Sequence, residues 1–168
     1  MIKLLGKIPP KLSVACSGGP DSMAAVDFLV KGRRDVDILH FDHGTENSHR
    51  YTELVVKYAQ SRNIEARIFK IKGEPKKGDS VEAWWSKQRY EVFHNQHNPV
   101  VTGHNLNDVA EWWIFTSLRG NPKITPYRNK NVIRPFLLTP KPSLLEWCRK
   151  NEVPYLHDPT NFECKNAR

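Results

Sequence analysis

No run of about 18 apolar residues occurs in this 168-residue chain, so nothing in it reads as a membrane-spanning helix. The first ten residues are too short, and too broken by Pro9 and Pro10, for a secretory signal. Cysteine is scarce: Cys16, Cys148 and Cys164 are widely spaced, odd in number and free of any CxxC pair. That excludes a disulfide framework and a zinc site, and it weakens any route through an iron–sulfur cluster. The kinase-type phosphate loop, GxxxxGK followed by Ser or Thr, is missing, which removes γ-phosphate transfer by motif. Internal repeats and low-complexity tracts are also missing. These absences lead to the expectation of a soluble, cytoplasmic protein with reduced thiols.

What remains is a chain with 39% hydrophobic and 26% charged residues, enough for one domain with a real core and too little for two comfortable ones. Residues 1–168 are therefore expected to form a single domain. The formal charge is +8, from 26 Lys plus Arg against 18 Asp plus Glu. A basic balance favours a polyanionic partner such as RNA, DNA or a nucleotide, although scattered Lys and Arg also serve solubility alone.

Residues 17–22 read SGGPDS, between an apolar run at 12–16 and a helix-like run at 23–30. Adjacent Gly18 and Gly19 let the backbone turn so that several N–H groups face one anion, and Pro20 suits a first helical position whose helix adds partial positive charge. An ordinary strand-to-helix turn capped by Ser17 or Asp21 explains the hexapeptide equally well.

Strand-like runs at 11–17, 37–42, 65–71, 99–103 and 153–157 alternate with helix-like runs at 21–31, 49–62, 80–94, 106–118 and 143–151. Asp79 and Glu82 are spaced as a capping box that places a helix start. This order predicts an α/β fold, a parallel sheet with helices on both faces. Between 121 and 136 the pattern breaks around two short apolar runs, 124–127 and 132–133, which suggests a small hairpin or excursion. SGGPDS follows the first strand, Asp42-His43-Gly44 ends the second, Gly103-His104-Asn105 ends the fourth, and 157–161 (HDPTN) ends the last. All lie on the predicted carboxyl edge, where open parallel sheets bind ligands.

Asp108 and Glu111 are three apart on one helical face, with His104 just before them. That pattern suits a metal or amine site in which a carboxylate takes up a proton, and it equally suits a helix capped by Asn105. Trp112, four residues after Asp108, faces the same side and is available to stack on a base, or to pack at an edge. Trp113 shares an inward spacing with Leu106, Val109, Ala110 and Ser117 and is expected in the core, while Trp84, Trp85 and Trp147 read as helix-to-sheet packing. Cys16 reads as a small buried apolar residue.

SGGPDS, HFDHG (40–44), VEAWWSKQRY (81–90), GHNLNDVAEW (103–112), RPFL (134–137) and DPTN (158–161) occur in one order that resembles the N-type ATP pyrophosphatase, or PP-loop, family, and within it the tRNA(Ile)-lysidine synthetases. The resemblance implies a Rossmann-like fold of the adenine nucleotide alpha hydrolase type. It also implies a ligase that cleaves ATP between the α and β phosphates, adenylates the wobble cytidine of an isoleucine tRNA and lets the ε-amine of free lysine displace AMP. ATP would be held by Ser17, Gly18, Gly19, Asp21, Ser22, Asp42, His43 and Gly44. Catalysis would rest on Asp21, Asp108, Glu111 and Arg89, and His104, Asp108 and Glu111 would take the lysine amine or a metal. Magnesium would sit at Asp21 and Asp108. Contacts to tRNA or phosphate would come from Arg89, Arg134, Arg168 and Trp112.

The sequence departs from the family pattern at Asn105 and Asn107, which stand where a His and an acid are usual, and at Ser86, which stands for an Arg. The resemblance also covers only the catalytic first domain of the longer synthetases, so no additional tRNA-binding domain is expected. Two alternatives stay open: the same ATP chemistry on another acceptor, by tRNA thiolation or amide synthesis, or a tRNA- or nucleotide-binding module whose site has decayed. The oligomeric state, a homodimer among the options, is not read from the sequence.

Overall fold

The computed structural model describes residues 1–71, 73–78 and 80–157. Strands β1 (Lys11–Ala15), β2 (Asp35–Asp42), β3 (Ala66–Lys70), β4 (Val100–Thr102), β5 (Arg128–Asn129) and β6 (Val132–Ile133) alternate with helices α1 (Pro20–Lys31), α2 (Ser48–Ser61), α3 (Val81–His94), α4 (Leu106–Leu118) and α5 (Lys141–Lys150). They form one sheet in the order β3-β2-β1-β4-β6-β5. Every pairing is parallel except that of β5 with β6.

The two faces of the sheet follow from the two-residue period of the strands. Leu12, Val14, Ile38, Val101 and Ile133 point to one face and join residues of α1, α2 and α5, while Leu39, Phe41, Val100 and Val132 point to the other and meet Phe93 of α3. The fold class is thus the expected one, a mostly parallel Rossmann-like sheet with helices on both faces. On the first face α1, α2 and α5 converge on Asp27, which has no exposed surface. Its carboxylate accepts from the Tyr58 hydroxyl at 2.8 Å, Arg62 at 3.1 Å and the Trp147 indole at 2.8 Å, with the Lys31 ammonium at 3.1 Å. A buried carboxylate is tolerated because each oxygen is paired. The Phe28 ring packs edge-on against Phe136 and Trp147 beside it.

Three sequence expectations are corrected. Residues 153–157 are not a strand: the fifth parallel position is taken by β6, two residues long and aligned with Val100 and Val101. The 153–157 segment instead runs past α5, tied by Val153 N–H to the Cys148 carbonyl and by Leu156 N–H to the Gly18 carbonyl. The second correction is the start of α3. Its cap is Ser80, whose hydroxyl oxygen accepts from Ala83 N–H at 3.3 Å, and Glu82 takes the Ser80 hydroxyl at 2.8 Å instead of closing a box from N3. Asp79 lies outside the described residues.

The third correction is Trp113, which is 50% exposed and not core, as is its neighbour Ile114 at 52%. The apolar residues of α4 are spread round the helix and not gathered in one stripe, so helical spacing alone does not select its buried face. Thr116 is its buried residue, held by bonds from its hydroxyl to the Trp112 and Trp113 carbonyls.

Candidate functional site

The carboxyl ends of β1, β2 and β4 meet around the SGGPDS loop. Gly18 takes φ +86°, a left-handed conformation, and a side chain there would meet the Tyr51 ring at 3.1 Å. The α1 N-cap is Gly19, with Pro20 in the first turn and no side chain capping the helix. The capping reading of Ser17 and Asp21 therefore does not hold, and the α1 amides open toward the loop as an anion-binding helix start does. Ser22 braces the loop from within: its hydroxyl accepts Ser17 N–H at 3.1 Å and donates to the Gly19 carbonyl at 3.0 Å. The Ser17 hydroxyl accepts Gly19 N–H at 3.3 Å.

At the end of β4 the chain passes so close to α1 that a Cβ on Gly103 would lie 3.0 Å from the Asp21 carbonyl oxygen. That approach sets His104 and α4 against Asp21. Asn105 caps α4 by accepting Asn107 N–H at 2.9 Å, and Asp108 returns a carboxylate oxygen to Asn105 N–H at 2.8 Å. Asp108 is thus both a capping acid and a wall of the site. Asn107 has a structural task of its own: its side-chain oxygen accepts Lys141 N–H at 2.9 Å, at the otherwise uncapped start of α5. Lys141 then reaches Asp21, with Nζ 3.7 Å from Oδ2. Asp21 Oδ1 is buried without a hydrogen-bond partner among the described residues.

Two adjoining cavities result. One, of about 380 Å³, is lined by Ser17, Asp21, Ser22, His43, Arg89 and Gly103 among others. The second, about 820 Å³, is lined by Glu111, Trp112, Phe115, Thr125, Pro126 and Arg134. They share Ser86, Tyr90, His104 and Asp108 as a common wall.

Burial pushes the Asp21 carboxyl up, against the pull of Lys141 and with the help of the Asp108 charge. Burial and the nearby Arg89 guanidinium push His43 down to about 4, and its ring rests 4.6 Å from that of Trp85. His104 is lowered by burial and by Arg134, and shares a 2.7 Å hydrogen bond with the Thr102 hydroxyl. Arg89 is half-buried, and no carboxylate pairs with it among the described residues. Asp42 is held below the usual carboxylate range by Ser48 and by Gly44 N–H, which it accepts at 2.9 Å. Arg134 is only 5% exposed, donating to the Pro126 carbonyl at 2.9 Å and the Tyr90 hydroxyl at 2.7 Å, so it positions Tyr90 while lining the larger cavity. Arg168 and the 158–161 motif lie outside the described residues.

Residues 3–168 match the family described as the PP-loop domain. The chain belongs to the PP-loop family. Among its relatives, the tRNA(Ile)-lysidine synthase of Thermosipho africanus is 32% identical over 94% of this chain and 41% of its own length. The enzyme of the same name from Aster yellows witches'-broom phytoplasma is 27% identical, over 88% of this chain and 36% of its own length. The chain therefore spans about two-fifths of the length of these relatives. Among solved structures, the NH3-dependent NAD synthetase of Campylobacter jejuni superposes with a TM-score of 0.60 at 15% identity, over 88% of this chain and 66% of that one. The NMN synthetase of Francisella tularensis gives 0.54 at 18% identity, over 85% and 62%. At these identities the likeness to both is one of fold.

In this PP-loop domain, sequence reasoning missed Lys141 and the part played by Tyr90. Lys141 carries no local signal, because only the folding of α5 onto α1 brings it to Asp21. No group of three or more metal-ligating side chains occurs among the described residues. A magnesium ion nevertheless suits the donors present, since it takes one or two carboxylates and completes its shell with water and substrate phosphate. Asp21, with its unpartnered oxygen, and Asp108 beside it supply that pair.

Proposed function

We propose that this PP-loop domain binds ATP in the smaller cavity and uses it to join lysine to the wobble cytidine of an isoleucine tRNA presented in the larger one. The observation that carries this reading is the shared wall: the phosphate-type loop opens into one chamber, the Glu111 and Trp112 face into the next, and Asp108 and His104 stand between.

In this reading the cytidine 2-carbonyl oxygen attacks the α phosphate, pyrophosphate leaves, and a lysine ε-amine then adds at C2, loses a proton and displaces AMP. The loop amides of Gly18 and Gly19, with Arg89, hold the charge that accumulates on the departing pyrophosphate. Asp21 and Asp108 would hold magnesium, which when bound adds further neutralisation of phosphate charge. Glu111, on the same helical face as Asp108, removes the proton from the lysine ammonium. His104, kept neutral by burial, adds no competing positive charge where the cationic amine enters. The decayed-module alternative loses one of its motives, because Asn107 has a structural task at the start of α5. The test is AMP release: it is expected to require ATP, the tRNA and lysine together. AMP release at the same rate without lysine contradicts the acceptor assignment.

A further inference from the structure

Along α4, Trp112, Phe115 and Arg119 follow one another at helical spacing on the side that also carries Asp108 and Glu111. The Trp112 and Phe115 rings are stacked, 6.0 Å apart and 26° from parallel, and the Arg119 guanidinium lies 4.0 Å from the Phe115 ring centre. Both rings line the larger cavity and remain 44% and 46% exposed. An exposed Trp and Phe side by side on the wall of a cavity form the kind of apolar surface that receives a binding partner. From Trp112 to Arg119 the helix advances about 10 Å, roughly the span of three stacked nucleotides.

We infer that Trp112, Phe115 and Arg119 form a stacking ledge for an unpaired RNA base that flanks the base entering the larger cavity. The inference rests on the tRNA reading above and extends it from Trp112 to Phe115 and Arg119, which the family motifs do not contain. Aromatic faces bind any nucleobase, and a guanidinium over a ring adds both a stacking plane and a positive charge. Charge complementarity favours RNA over a protein partner: the chain carries a net +8, Arg119 has no carboxylate partner among the described residues, and Arg134 lines the same cavity. Trp113, Ile114 and Leu118 are also exposed on α4 but do not line the cavity.

The test uses the full chain and a fluorescent isoleucine-tRNA anticodon stem-loop with cytidine at the wobble position. Trp112→Leu and Phe115→Leu keep apolar bulk and remove stacking, and each is expected to weaken RNA binding about tenfold or more. Trp112→Phe is expected to restore affinity to within about threefold, and Trp113→Ala to leave it unchanged. Thermal midpoints identify any variant that fails to fold, in which case Arg119→Gln serves as the readout of the same ledge. If the wild type binds the RNA and the Leu variants bind it equally well, the ledge is overturned while the tRNA reading stands. If the variants lose affinity but the wild type transfers no lysine, the ledge stands and the lysine reading falls. A change of oligomeric state in the Leu variants without a change in RNA affinity overturns the ledge in favour of a protein-docking surface.

Discussion

Asp108 carries two tasks on one carboxylate, and its oxygens divide them. One accepts Asn105 N–H and closes the capping box of α4, and the carboxylate also lines both cavities. Asp108→Ala removes the cap as well as the charge, with an expected loss of about 1 kcal/mol of stability. Asp108→Asn keeps an acceptor for the cap. It is expected to hold the thermal midpoint near that of the wild type yet reduce lysine transfer by about a hundredfold or more, the order of cost of removing a charge placed to stabilise the transition state. Transfer by Asp108→Asn at the wild-type rate removes the charge from the mechanism.

His43 makes a separate prediction. Its folded-state value of about 4 lies below the ordinary 6.5, so the unfolded chain binds the proton more readily between them. The stability it contributes is complete above about pH 6.5 and is lost as the pH falls toward 4. Discounted for partial exposure, the effect is on the order of 1–2 kcal/mol. Thermal melts of the wild type and His43→Gln are expected to converge as the pH falls through that window, and parallel curves contradict the assignment.

At the scale of elements, much of this molecule is legible in the sequence because the signals are local. The spacing of apolar residues marks all five helices to within a few residues, and the polar clusters after β1, β2 and β4 fall on the carboxyl edge as a parallel sheet requires. Where the signal is not local, reading fails. The Val132–Ile133 strand is too short to announce itself, and an apolar run at 153–157 resembles a strand although β6 already fills that place beside β4. The apolar residues of α4 are spread round the helix, so its periodicity cannot say that Trp113 stays outside. Lys141 and Asp21 meet only through α5 docking on α1.

That docking has a buried ionic centre at Asp27, joined to α2 by Tyr58 and Arg62 and to α5 by Trp147. Asp27→Ala leaves Arg62 without its carboxylate and the two ring donors without acceptors. A loss of about 3–5 kcal/mol is expected, a drop in thermal midpoint on the order of 10 °C. A change of less than about 2 °C contradicts the view that Asp27 fastens the three helices.

At the scale of the whole molecule, the arrangement is a phosphate-type loop and two adjoining cavities set on one edge of one sheet, in a chain of formal net charge +8. Among the described residues no helix is long and apolar enough to cross a membrane. The relatives named tRNA(Ile)-lysidine synthase match this chain over only 41% and 36% of their own length. The central claim is therefore that the chemistry belongs to this domain. The direct measurement is mass analysis of the nucleosides from isoleucine tRNA after incubation with the protein, ATP, magnesium and lysine. The account predicts a cytidine heavier by one lysine less one water, formed with one AMP released per modified tRNA. Unmodified cytidine from a verified tRNA, with folded protein that binds ATP, would contradict it.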